Sequence, residues 1–78
     1  MVEKYITLNK MEDVERFVDI AVEQPFEVDL ISGRYIVNAK SIMGVFSLDL
    51  AKPILMKAEC PAEQAAAFVE KTRPFLAE

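Results

Sequence analysis

Apolar residues recur along this chain with two different periods, and the switches between them set the expected order of elements. From Lys4 to Leu8 the pattern has period two, with Tyr5 and Thr7 on one face and Ile6 and Leu8 on the other, as in a strand. Asn9 then suits an N-cap, with Glu12 three residues on as its capping-box partner. The helix expected next carries Met11, Val14, Phe17, Val18 and Ala21 on one stripe and Asp13, Glu15, Arg16 and Asp19 on the other, and it must end before Pro25. Phe26 to Ile31 alternates again, with Phe26, Val28 and Leu30 opposed to Glu27 and Asp29, so one side is buried and one wet. Ser32-Gly33-Arg34 has the length of a hairpin turn, and Tyr35 to Asn38 is the returning strand.

The segment Val37 to Leu50, VNAKSIMGVFSLDL, is the most distinctive. It predicts a short helix from Ser41 to about Leu48, apolar at Ile42, Met43, Val45, Phe46 and Leu48. A fourth strand is expected over Ile54 to Glu59, with Ile54, Met56 and Ala58 on one face. Pro61 suits the start of a last helix, whose inward stripe is Ala65, Phe68, Val69 and Thr72 and which Pro74 kinks or ends. The order β-α-β-β-α-β-α, with one tight hairpin, predicts an α+β two-layer sandwich: helices on one face of a sheet, the other face polar and open.

Composition narrows the chemistry more than the fold. With 78 residues the expectation is one domain over 1–78, with a thin core. A single cysteine, Cys60, allows no internal disulfide, and it reads as an inert residue at a helix start. The net charge of -4, with scattered Lys and Arg, argues against a nucleic-acid or anionic-membrane surface. The apolar run around Ile42 to Leu48 falls far short of the roughly 20 residues of a membrane helix. The N-terminus MVEKYITL lacks a signal-peptide layout, so a cytoplasmic protein is expected. There is no histidine, which removes the commonest general base and metal ligand. The carboxylates Glu12, Asp13, Glu15 and Asp19 read as a wet helix face, not as a metal cluster, and no cofactor is expected.

The run AKSIMGVFSLDLAKP resembles the regulatory-serine signature of the HPr family, the small phosphocarriers of the bacterial phosphotransferase system. In that family a serine opens the short second helix and is followed by Ile-Met-Gly, as Ser41 is here by Ile42-Met43-Gly44. Chain length and element order agree over nearly the whole sequence. The resemblance implies an HPr-like open-faced β-sandwich, a four-stranded antiparallel sheet with helices on one face. It also implies that the helix after Ser41 is a docking surface and that a dedicated kinase acts on the serine.

The family's carrier chemistry is another matter. Its members hold a phosphoryl-accepting histidine, followed by Ala-Arg-Pro, between the first strand and first helix. Here that stretch is Leu8-Asn9-Lys10-Met11-Glu12-Asp13-Val14. Ungapped spacing back from Ser41 places Lys10 at the histidine's position, and a one-residue shift in the hairpin places Asn9 there. Neither accepts phosphate as an imidazole does, and Glu12 and Asp13 bring repulsive charge to the spot.

Ser41 has two readings, a phosphorylation site or a plain helix cap. Met43 and Phe46, with Ile42 and the neighbouring Lys40, form the candidate partner surface, while Val45 and Leu48 are expected in the core. Lys40 could instead simply be solvated. The expected function is a regulatory or protein-binding module of the phosphotransferase or carbon-regulation type. It would be no enzyme, have no carrier activity, bind a kinase or transcription regulator, and be a monomer or weak homodimer. The alternative is a binding or self-association module of the same fold in which Ser41 is only a cap.

Overall fold

The computed structural model describes residues 1–77. Its elements are β1 (Val2–Ile6), α1 (Met11–Val22), β2 (Val28–Ser32), β3 (Tyr35–Asn38), α2 (Ile42–Phe46), β4 (Ile54–Ala58) and α3 (Ala62–Thr72). A 3-10 turn over Arg73–Phe75 follows. The strands form one sheet in the order β1-β4-β2-β3, and each neighbouring pair is antiparallel. The helices cover one face, so the α+β open-faced sandwich expected from the pattern is the architecture found.

The core follows the predicted faces. Val28 and Leu30 of β2, and Ile54, Met56 and Ala58 of β4, are fully buried beneath the helices. Val14, Phe17, Val18 and Ala21 of α1 meet them, with Phe68 and Thr72 from α3. The Thr72 hydroxyl is satisfied inside its own helix, where it points to the carbonyls of Phe68 and Val69. Phe26 packs edge-on against Phe68 and Phe17 edge-on against Phe75, the geometry that ring quadrupoles favour. Pro74 does end α3: the chain tightens into the 3-10 turn, with Phe75 buried and Leu76 packed against the core. On the exposed surface of that turn, the Arg73 guanidinium grips the Glu70 carboxylate at 2.7 Å. By hydrogen bonding first and Coulomb attraction second, it holds that carboxyl below its ordinary range.

Several expectations shift. β1 begins at Val2 and leaves the ladder after Ile6, two residues earlier than the alternation suggests. Leu8 is buried although it lies in the loop, so the alternating pattern outlasts the strand. Met11 is exposed, not part of the inward stripe. Pro61 stands at the N-cap of α3, one residue before its first helical position.

The open face is less polar than predicted. Register places Tyr5 opposite Leu55, Leu55 opposite Ile31, and Ile31 opposite Ile36, so an apolar row crosses all the strands. The next row is polar: Glu3, Lys57, Asp29 and Asn38, with Lys57 between two carboxylates. The outward apolar residues are scattered along the sequence and form a row only through the strand register.

The β2–β3 hairpin turns through Gly33-Arg34, with Ser32 paired to Tyr35. Gly33 has φ +61, and nothing lies within 4 Å of where a Cβ would stand. Glycine is there for the backbone alone, in the glycine-first position of a two-residue hairpin loop. Gly33→Ala should therefore cost about 1 kcal/mol through backbone strain and no clash. A urea titration measures this directly.

Candidate functional site

α2 starts where β3 ends, and local chemistry fixes both its start and its tilt. Ser41 is extended (φ -103, ψ 108) and its Oγ accepts the Gly44 N–H at 3.2 Å, which makes it the N-cap. The Ser41 carbonyl accepts the Val45 N–H at 3.0 Å and begins the helix. At Gly44 an added Cβ would stand 3.4 Å from both the Ser41 Oγ and the Val37 Cβ. The missing side chain lets α2 lie closely against β3. The helix is shorter than predicted, ending at Phe46 with Ser47 as its C-cap, although Leu48 is still buried.

A single turn and a half of helix can bury only one side. Val45 is fully enclosed, while Met43 is 80% exposed and Ile42 and Phe46 are each 39% exposed. The Ser41 side chain is exposed beside them. An exposed apolar patch therefore lies beside an exposed hydroxyl, and both are held by a cap and a buried anchor. Ser41→Ala removes the cap acceptor and should lower stability by about 1 kcal/mol. Thermal unfolding followed by circular dichroism checks it, and Ser41→Thr should recover most of the loss.

Lys40 departs from its predicted place. Its ammonium donates to the Gln24 carbonyl at 3.0 Å, just past the C-terminal end of α1, where exposed carbonyls favour a cation. Its backbone N–H donates to the Asn38 Oδ1 at 2.8 Å. The side chain is thus neither free in solvent nor turned outward with Met43. It ties the α2 entry to α1 across the helical face, a link that nothing in the local sequence announces.

The loop before α1 also differs in detail. Lys10, not Asn9, is the N-cap residue, and its side chain makes no capping bond. The carboxylate that reaches back is that of Asp13, not Glu12: its Oδ2 accepts the Asn9 N–H at 3.1 Å. Asn9 and Lys10 are both exposed. The negative group at this helix start is therefore a side chain of the protein itself. Glu12, Glu15 and Asp19 are exposed, in keeping with a wet helix face. Cys60 is buried, its thiol directed at the neighbouring Pro61 carbonyl.

On the opposite side of the sheet, a depression of about 440 Å³ lies along the apolar row, lined by its Tyr5, Leu55 and Ile31 and by Gly33, Lys52 and Pro53 among others. No residue of α2 borders it. Among the described residues, no helix is long and apolar enough to cross a membrane.

No protein-family model matches the sequence, and no curated protein matches it. Solved structures do match. One is the crystal structure of HPr-C-His from Thermoanaerobacter tengcongensis, with a TM-score of 0.73 at 25% identity, covering 92% of this chain and 90% of that one. The chain therefore has an HPr-like fold, and that likeness supports a relationship to the phosphocarrier family.

Proposed function

We propose that this chain is a regulatory, protein-binding module of the phosphotransferase or carbon-regulation type. It docks through the segment from Ser41 to Leu48, is switched by phosphorylation of Ser41, and carries out no reaction of its own. The observation behind this reading is the exposure of Ile42, Met43 and Phe46 directly beside an exposed Ser41 hydroxyl. Phosphorylation would add about -1.5 to -2 charges at the rim of that apolar patch. An apolar partner would then be repelled and a basic one attracted, which changes partner choice without refolding the domain. The partners on this reading are a serine kinase of the HPr-kinase type and a second protein such as a transcription regulator. A kinase that draws on ATP suits a switch in the cytoplasm.

The bond from the Gly44 N–H to the Ser41 Oγ favours a second reading, in which the serine only caps α2 and the patch serves binding or weak self-association. Incubation with an HPr kinase and ATP separates the two. The switch reading expects one added phosphate by intact mass on the wild type and none on Ser41→Ala. No added phosphate on either protein, or the same mass increase on both, would leave only the cap.

A further inference from the structure

The sheet has two edges, and they are treated differently. Along β1 the C-terminal segment adds a short strap: Thr7 N–H donates to the Phe75 carbonyl at 2.7 Å, Ala77 N–H donates to the Tyr5 carbonyl at 2.8 Å, and Ile6 bridges to Leu76. Along β3 the one such bond among the described residues runs from the Ser41 N–H to the Asn38 carbonyl. Exposed edges are usually blunted by charge, proline or a bulge. Tyr35-Ile36-Val37-Asn38 has no charge and no proline, and it pairs with β2 without a break in register.

Antiparallel pairing alternates, which fixes the backbone groups that point out. Ala39 N–H donates to the Val28 carbonyl at 2.8 Å, so Val37 and Tyr35, at the same parity, also bond inward to β2. The N–H and C=O of Ile36 and the N–H of Asn38 therefore face outward. The Ile36 side chain, 66% exposed, ends the apolar row on the open face.

We propose that this edge pairs with the β3 edge of a second copy of the chain, antiparallel, about a two-fold axis normal to the sheet and passing beside Ile36. Such an axis brings together only residues that share a face. Centred there, Ile36 meets Ile36 of the second copy and exchanges both backbone bonds with it. Arg34 of each copy falls opposite Asn38 of the other. The result is one continuous sheet, four strands from each copy, with the two apolar rows joined end to end. Charge agrees with this register: Arg34 of the second copy enters the row that runs Asn38, Asp29, Lys57, Glu3, so charges along it alternate in sign. Both α2 helices stay on one face, which would present the proposed docking patch twice. A four-residue edge falls well below the roughly 800 Å² per partner of stable complexes, so the pairing is weak and concentration-dependent.

Cysteine cross-linking of the full chain tests the register. Residues facing one another in a bonded antiparallel pair have Cα atoms about 5.5 Å apart, within disulfide reach. Ile36→Cys should oxidise to a covalent dimer at high protein concentration. Tyr35→Cys, which faces Val37 of the second copy, should remain monomeric under the same oxidation, as should the wild type with its buried Cys60. Sedimentation equilibrium supplies an unlinked readout. Ile36→Pro removes an N–H that points outward, and Ile36→Lys keeps the N–H but breaks the apolar row; each should lose the wild-type dimer. Equal oxidation of the two cysteine variants, a wild type monomeric at all concentrations, or a dimer that survives both Ile36 variants but is lost in Met43→Glu would overturn the proposal. Loss of self-association would leave the kinase test of Ser41 unaffected, so the two ideas fail separately.

Discussion

Phe17→Ala should destabilise the chain by about 3–5 kcal/mol, more than any surface change considered above. Phe17 is completely enclosed between α1 and the sheet. Its ring meets the Phe75 ring edge-on, with centroids 5.8 Å apart at 86°. Phe75 in turn carries the Arg16 guanidinium 5.7 Å above its ring, and its carbonyl accepts the Thr7 N–H. Truncation at position 17 therefore opens a cavity where α1, the C-terminal turn and the end of β1 converge. A chain of 78 residues has roughly 4–12 kcal/mol of total stability on general grounds, so the loss is a large share of it. At about 4–8 °C per kcal/mol, melting should fall by roughly 12–40 °C. Thermal and urea unfolding followed by circular dichroism measure it. Phe46→Ala is the natural contrast: a half-exposed ring on α2 should cost far less, and comparable losses for the two would contradict the assigned core.

A phosphohistidine-donating enzyme of the phosphotransferase system should leave this protein unmodified. The expected effect is complete absence of transfer, not a slower rate. The chain contains no histidine. At the start of α1, the stretch that the HPr resemblance would align with the carrier histidine, Lys10 stands at the N-cap position without a side-chain cap, and the Asp13 carboxylate already occupies the Asn9 N–H. An incoming phosphoryl group would meet a negative charge where it needs donors, with Glu12 one residue away. Lys10→His alone should therefore remain a poor acceptor, because the carboxylates stay. Intact mass with and without acid treatment reads the outcome; an acid-labile phosphate on the wild type would show that another side chain had taken over the carrier role.

Much of the fold was legible because buried faces leave strong periodic signals. Val28 and Leu30, Ile54, Met56 and Ala58, and the α1 stripe from Val14 to Ala21 all point where their spacing predicts. Gly33 and Pro74 marked a real turn and a real helix end. What the sequence hid was set by groups distant along the chain. Leu8 is buried by packing after its strand has ended, so the alternation runs on past the end of β1. Asp13 reaches the Asn9 N–H in place of Glu12, a choice of side-chain geometry that the capping pattern does not encode. Lys40 finds Gln24, sixteen residues earlier. The apolar row Tyr5, Leu55, Ile31 and Ile36 draws on every strand of the sheet and exists only through register. At the candidate site the exposed and buried sides of α2 were readable, since a helix this short and this apolar must leave residues outside.

On the proposed reading, the Ser41 hydroxyl and the Met43–Phe46 surface work as one site. The most direct measurement is the initial rate of phosphate incorporation from ATP by an HPr kinase, for wild type, Ser41→Ala and Met43→Glu side by side. Met43 is almost fully exposed, so its replacement should leave the circular dichroism spectrum and melting temperature unchanged. The wild type should take up one phosphate and Ser41→Ala none, and Met43→Glu should react clearly more slowly although its serine is intact. A wild type that takes up no phosphate, or a Met43→Glu variant modified as fast as the wild type, would contradict that reading.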